Sequence, residues 1–516
     1  MNKSISILRI GMTLFILILV LAGCSGTSEK TVQETEATDP KNQTLTMAYT
    51  WNPAGLDVHG SDSWHIMRSG AAETLIGLNE QLEPIPWLAK EWHQEEDTVW
   101  MLKLEENVMF HNGDKMDAES VKASLLRSLE INQRANDLLD VQSIEVVGPS
   151  EIKIVTNNPN ATLIPHLADP STIILDVTTI DEVDTYPALT GPFKIKEFTK
   201  DDSLVVERYE EYWGENALLA EVTMKFMTDG NSRLMALQSG AVDVATDLPL
   251  DSISLIERED HLEVLSAPSL RTHMILYNMN SPLFQNLALR QVVDLAIPRE
   301  AIIHSVMMGY GTEANSPFAD VLPFGDVPRT IVNQSINQLM GEAGWQKNKN
   351  GMWEKDGNLF EFTLLTFPQR PELTVMAEII QAELLQEGIQ AHIRQVENID
   401  DTLESGNWDL AMYSMLTAHT GDPQYFLNIF YQSNSSSNVS YYTSAELDEL
   451  LDRLNQTLEQ IERDQLARQI QEIINNDIPQ SFVVHPMTVF GSKKDVKGFT
   501  VHPIEYYYIH SRIERE

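Results

Sequence analysis

One cysteine, Cys24, limits what this chain can build. It leaves no thiol pair for a disulfide and no thiolate set for a metal centre, so stability has to come from a packed core. Its position is just as informative. Residues 1–9 carry Lys3 and Arg9 and no acid, and an apolar run follows over about residues 10–22. That run is shorter than the roughly 20 residues that span a bilayer, and it fits the h-region of a signal peptide. It ends in Leu21-Ala22-Gly23-Cys24, small residues before a cysteine, which is the pattern of a bacterial lipobox. Residues 1–23 are therefore expected to be a lipoprotein signal peptide, and Cys24 to be lipidated. Residues 24–43, rich in Ser, Thr, Glu, Gln and Lys, read as a flexible tether. One diacyl anchor puts such a chain on the outer face of the cytoplasmic membrane, anchored and not spanning. No later segment is long and apolar enough to cross.

The residues that follow exceed one hydrophobic core and imply two or more lobes. A formal charge of −40 argues against a nucleic-acid partner. Helix and strand patterns alternate, which is a mixed α/β reading. Residues 44–50 and 99–104 read as strands. Asp117 is placed as an N-cap, with Val121, Leu125 and Leu129 on one face of the helix it opens. Residues 371–386 form a second amphipathic helix, stopped by Gly388, and residues 389–393 then alternate as a strand. Ser444 caps a long acidic helix with Leu447, Leu450, Leu451, Leu454 and Leu458 on its apolar side. Pro479 ends the helical region, and residues 481–485 are again a strand.

Enzyme motifs are missing. The chain contains no HExxH, Walker A, GxSxG or GxGxxG pattern, and no nucleophile is marked by a nearby base. Thr228-Asp229-Gly230-Asn231 lacks the spacing of a calcium loop. An enzyme is not expected, and a hydrolase is only a remote alternative.

Several segments, taken in order, carry a family resemblance. They are Pro86-Trp87-Leu88-Ala89-Lys90-Glu91-Trp92, Phe110-His111-Asn112-Gly113, Thr190-Gly191-Pro192-Phe193 and Glu211-Tyr212-Trp213-Gly214. Leu276-Tyr277-Asn278, Leu289-Arg290-Gln291, Ala296-Ile297-Pro298-Arg299-Glu300 and Ala343-Gly344-Trp345 continue the series. Over about residues 45–510 the chain resembles the oligopeptide/nickel family of extracytoplasmic solute-binding proteins, family 5. The residues themselves read mainly as fold signatures. Gly113, Gly191 and Gly214 suit turns with positive φ. Arg290 and Arg299 suit structural pairing, and Trp87, Trp92, Trp345 and Trp353 suit the core. The resemblance implies a type II periplasmic-binding-protein clamshell in the large family-5 form, with mixed sheets and a hinge. One lobe would take residues 44–272 and 485–516, and the other residues 273–484. It also implies a monomer that serves the permease and ATPase subunits of an ABC importer and needs no cofactor.

Within that family the chain looks more like the nickel-binding branch. Ile131-Asn132-Gln133-Arg134-Ala135 resembles a segment whose Arg reaches the carboxylates of a metal chelator, and Arg134 matches that Arg. A guanidinium fork suits bidentate carboxylate binding. Departures are also present. Ser171 stands where the nickel binder has a second pocket Arg, Asp137 stands where it has Trp, and no His lies near Ser435. His419, in Thr417-Ala418-His419-Thr420-Gly421-Asp422-Pro423, lies on a loop that faces the cleft in the family. His65 lies on the first loop. Both are candidate metal ligands. Trp64 and Tyr425 are candidate walls, and Asn438 is a candidate hydrogen-bond donor. The expected ligand is a transition metal, nickel first, carried as a small-molecule chelate. The alternative is a short peptide, its termini held by Asp422 and Arg134. Metal binding through an ordinary imidazole would weaken below about pH 6.5.

Overall fold

The computed structural model describes residues 43–516 apart from Asp326. Cys24, the signal peptide and the tether lie outside the described residues. Among those described, no helix is long and apolar enough to cross a membrane.

One strand organises the molecule. Gln480–Lys493 runs through the middle of a twelve-stranded sheet and changes partners halfway along. Its first half pairs antiparallel with Arg271–Tyr277, in register His273 to Val484. Its second half pairs antiparallel with Leu262–Pro268, in register Pro268 to Met487. The exchange falls at Pro486, which has no N–H to give to a ladder. On one side the sheet continues through Leu410–Leu416, Glu361–Thr366 and Gln390–Gln395. On the other it continues through Val244–Ala245, Thr44–Tyr49, Glu221–Phe226, Ser203–Arg208 and Phe193–Thr199. Within this sheet, the strands up to residue 268 thus lie to one side of the exchange and those between residues 271 and 416 to the other. This is the two-lobed clamshell of mixed sheets and packed helices. A separate antiparallel sheet, Ala89–Glu96, Val99–Leu104, Glu151–Thr156 and Val141–Gly148, sits beside the first lobe's helix Ala118–Ile131.

Local chemistry explains the elements. Asp117 accepts from the Ser120 backbone N–H, and the Ser120 hydroxyl accepts from Asp117 N–H, both at 2.9 Å, a reciprocal cap. Pro371 starts the helix Pro371–Gln386, and Gly388 at φ 85° closes it. The acidic helix is shorter than the leucine spacing predicts. It spans Ala445–Gln456, Thr457 turns extended, and Gln460–Asp477 begins anew. The break is held by the buried Arg463, whose Nη1 donates to the carbonyls of Leu454 (2.7 Å) and Thr457 (3.0 Å). Of the three turn glycines only Gly113 has a positive φ, 90°. Gly191 serves close approach instead, since a Cβ there would sit 2.5 Å from the Gly70 carbonyl oxygen.

The recurring aromatic motifs meet on one buried carboxylate. Glu73 accepts from Trp87 Nε1 at 2.7 Å, from the Tyr212 hydroxyl at 2.6 Å and from Trp213 Nε1 at 3.0 Å. Burial pushes its pKa up to about 7 against the pull of these donors. Arg290 spends its guanidinium on the carbonyls of Phe284, Asp477 and Ile478, and Arg299 pairs with Asp294 at 2.5 Å. Trp345 and Trp353 are buried, and Trp87 and Trp92 pack partly buried against the core. These residues therefore build the scaffold.

Acid should destabilise the protein in two stages. Burial holds His59, His111 and His502 down to about 4, each with a ring nitrogen donating to a backbone carbonyl. An unfolded chain protonates its histidines near pH 6.5, so between there and pH 4 it binds more protons than the folded chain and stability falls. Glu505 adds the second stage. Burial raises its pKa, but Arg271, Arg370 and Arg68 outweigh that and hold it at about 2. Its contribution is present above the unfolded carboxylate value and is lost as pH falls toward 2. Urea midpoints measured from pH 7 to pH 3 should decline throughout, and a flat profile contradicts this reading.

Candidate functional site

A cavity of about 480 Å³ opens between elements on the two sides of the partner exchange. Trp51, Trp64 and Arg134 line it from one side, and Tyr413, Leu416 and His419 from the other. Trp64 comes from the helix Ser63–Arg68, and Arg134 from the first turn of Gln133–Leu139, where Asn132 caps the Arg134 N–H at 3.0 Å.

Its electrostatics run against the whole molecule. Arg68, Arg134, Arg271 and Arg370 line it, against the carboxylates Asp169 and Asp400, in a chain of net charge −40. Arg68 stacks on Trp64 with its guanidinium carbon 4.3 Å from the ring centre, and its Nη1 donates to the Tyr49 hydroxyl at 2.8 Å. Arg271 pairs with Glu505 at 3.1 Å. Arg370 is the least compensated of the four, since its only ion-pair contact among the described residues is Glu372 at 3.9 Å. Burial and the neighbouring Arg271 both depress its pKa. Such a wall attracts carboxylates.

Arg134 and His419 meet at Asp169. Arg134 donates to both Asp169 oxygens, from Nη2 at 2.7 Å and from Nε at 3.1 Å, and its guanidinium lies over the Tyr425 ring at 4.7 Å. Burial opposes ionisation of Asp169, but the Arg134 charge outweighs it and keeps the carboxyl well below the usual range. His419 Nε2 stands 3.5 Å from Asp169, and neither ring nitrogen has a hydrogen-bond partner. The ring is 1% exposed, and burial together with Arg134 keeps it neutral far below its ordinary value. A neutral imidazole with an uncommitted nitrogen can ligate a metal, but both His419 nitrogens are buried here, so the wall has to open to offer one. The pH 6.5 threshold expected of an ordinary histidine is thereby moved lower.

The other sequence-predicted residues are placed differently. Trp64 lines the cavity. Tyr425 supports it from behind, packed edge-on against His419 at 4.9 Å. His65 does not line it. Its ring lies 3.7 Å from that of Trp64, and Nδ1 is 2.7 Å from the Tyr49 hydroxyl, which already accepts from Arg68 and so donates to the ring. A two-histidine metal site is therefore not formed with His419. Ser171 is buried behind the cavity, its hydroxyl donating to Asp169 at 2.7 Å. Asn438 is committed to its own loop, donating to the Tyr442 carbonyl at 2.7 Å. Asp422 does not face the cavity either, because Arg463 Nη2 holds both its oxygens at 2.9 and 2.8 Å. Among the described residues no group of three or more His, Asp or Glu is arranged to hold a metal. Sequence reading missed Arg68, Asp169, Arg271, Arg370 and Tyr506. Of these, Asp169 stands two positions before the predicted Ser171.

Comparisons agree with this architecture. Residues 83–438 match the family model for bacterial extracellular solute-binding proteins, family 5 (middle). The nickel-binding protein NikA of Staphylococcus aureus is 30% identical over 98% of this chain and 99% of its own length. Its crystal structure in complex with Ni(L-His)2 superposes with a TM-score of 0.82 at 28% identity, covering 92% of this chain and 100% of that one. A nickel ABC transporter protein from Bacillus halodurans gives 0.74 at 32% identity over 92% and 100%. The oligopeptide-binding protein AppA of Bacillus subtilis, bound to a nonapeptide, shares the fold at TM-score 0.81 and 21% identity, over 92% and 99%. The chain belongs to family 5 of the bacterial extracellular solute-binding proteins, and it is a binding protein and not an enzyme.

Proposed function

We propose that this is the substrate-binding component of an ABC importer that captures a chelated transition metal, nickel first, between its lobes. The observation that carries the reading is His419, a buried neutral imidazole with no hydrogen-bond partner, beside Arg134 and facing a wall of arginines. One protein nitrogen is too few for a metal by itself, so the remaining donors arrive with the chelator, and the arginines receive its carboxylates. The likeness to NikA, whose crystal structure holds Ni(L-His)2, supports this choice. Lobes of 44–272 with 485–516, and of 273–484, fit the change of strand partners at Pro486. Closure around the chelate then presents the loaded form to the permease and ATPase subunits, and the protein works as a monomer.

The peptide reading keeps one supporting feature, a second cavity of about 880 Å³ that adjoins the first. It loses its proposed amine partner, because Asp422 is occupied by Arg463. A panel of nickel–histidine, other nickel chelates and di- to pentapeptides separates the two. The true ligand raises the melting temperature, by mass action worth about 2.7 kcal/mol at a hundredfold excess over Kd. It also lowers the radius of gyration in small-angle scattering. Peptides alone producing both effects would overturn the metal reading.

The lipid anchor is the second part of the proposal, and it rests on Leu21-Ala22-Gly23-Cys24. Cys24→Ala should release the protein from the membrane and abolish fatty-acid labelling while the fold is retained. Label on the Ala variant contradicts the anchor.

A further inference from the structure

The second cavity has the opposite electrostatic character from the first. The two share Trp51, Arg271 and Arg370. Beyond that waist the walls bring Asp229, Asp247, Asp251, Glu372 and Glu505, against Arg233, Arg271 and Arg370. Two of these cations are already engaged. Arg271 is held by Glu505. Arg233 donates to the backbone carbonyls of Met227, Thr228, Thr246 and Asp247 and makes no salt bridge among the described residues, although its charge acts on the nearby Asp247 and Asp229. Among the described residues Glu372 has loose ion-pair neighbours, Arg370 at 3.9 Å and His273 Nε2 at 3.7 Å. Asp247 accepts one hydrogen bond at its carboxylate, from the Thr50 hydroxyl at 2.7 Å.

Two further observations mark these acids as more than surface charge. His273 lines the cavity and is 1% exposed. Its Nδ1 meets the Ser414 hydroxyl at 2.9 Å, yet Nε2 has no hydrogen-bond partner. A buried polar atom left unsatisfied costs about 1–3 kcal/mol and calls for a reason. Asp247 has φ 46°, a left-handed backbone that carries a penalty in a residue with a Cβ. The Arg233 clamp on the Thr246 and Asp247 carbonyls holds it there. Between the polar groups lie Met307, Met308, Met487 and Val375, an adaptable apolar surface suited to a flexible methylene chain.

We propose that the second cavity is a subsite for a cationic arm of the ligand. Carboxylates lie against the arginines of the first cavity, the chain passes Trp51, and an ammonium or guanidinium group sits among Glu372, Asp247 and His273. The ligand class is therefore an elongated zwitterionic chelator, with its metal-binding carboxylate head at one end and a basic group at the other. The proposal rests on the reading of the first cavity as a chelate site.

Calorimetry with three nickel complexes tests it: nitrilotriacetate, its lysine-derived analogue with a butyl arm ending in an ammonium, and that analogue with the amine acetylated. A charge-assisted hydrogen bond gives about tenfold or more, so the ammonium arm should bind at least that much tighter than nitrilotriacetate. Acetylation should remove the gain. Glu372→Gln and Asp247→Asn should each shrink the ratio between armed and armless complexes. Asn tolerates the left-handed conformation, so the second variant keeps its backbone. Equal binding of all three complexes overturns the subsite and leaves the first cavity standing, as does an acetylated arm that binds like the ammonium. Failure of all three to bind, while nickel–histidine binds beside them, overturns the subsite alone; failure of nickel–histidine as well overturns the reading of the first cavity.

Discussion

Replacing Arg134 by Ala should cost the protein most of its ligand affinity and a large part of its stability. Both effects trace to Asp169, which is 1% exposed and holds Arg134 through three hydrogen bonds. Without the guanidinium, Asp169 keeps Ser171 as a donor but has no full charge beside it, apart from a histidine that burial keeps neutral. Breaking a buried ion pair by removing one member costs about 3–5 kcal/mol, because the surviving charge is left uncompensated. Loss of a desolvated contact to a ligand carboxylate costs about 2–5 kcal/mol of binding. The two are separable. Adding Asp169→Asn to Arg134→Ala removes the orphaned charge and should restore much of the stability without restoring affinity. Arg134→Lys keeps a charge but not the planar fork, so it should fall between. Urea unfolding and calorimetric titration report the two quantities. An Arg134→Ala variant that unfolds and binds like the parent contradicts the site.

His419→Ala should fail differently. It removes an inner-sphere donor, so the loss should depend on which metal is offered to one and the same chelator. It should also exceed the roughly 10–100-fold that loss of an outer-shell partner costs. Arg134→Ala, which acts on the chelator, should lose about the same for nickel and cobalt. The pH behaviour is a second signature. Burial and Arg134 keep the His419 ring neutral well below its ordinary value. Nickel binding should therefore persist below pH 6.5, where an exposed imidazole is already protonated and cannot ligate. A binding midpoint at pH 6.5, or equal losses for nickel and cobalt in His419→Ala, contradicts inner-sphere ligation.

How far these residues were readable from sequence follows from the range of the forces that place them. The helix Pro371–Gln386 and the Asp117 cap were legible because Pro371, Gly388 and Ser120 act within a few positions. The break after Gln456 was not, because the residue that enforces it, Arg463, lies in the next helix. The central strand was read only to residue 485. Its remainder, from Pro486 onward, is defined by pairing with Leu262–Pro268, more than two hundred residues earlier. The site divides in the same way. Arg134 and His419 stood in segments with a recognisable neighbourhood. Arg271 and Arg370 sit at a strand start and a helix cap, where no local pattern tells a cleft arginine from a solvated one. Asp422 looked available for a peptide amine only because its partner is Arg463, forty-one positions on. His65 looked available because Tyr49, sixteen positions earlier, engages it only in the folded packing, whereas Asn438 is held locally by the Tyr442 carbonyl four positions on.

A cleft that takes metal and chelator together has a simple signature in titration calorimetry of the wild-type protein. Nickel alone, L-histidine alone, the two combined, and a set of di- to pentapeptides are injected under one buffer. Tight one-to-one binding is expected only when nickel and histidine are both present, with each alone at least about a hundredfold weaker, a gap of roughly 2.7 kcal/mol. Tight binding of a metal-free peptide, with no heat from nickel and histidine together, would contradict it.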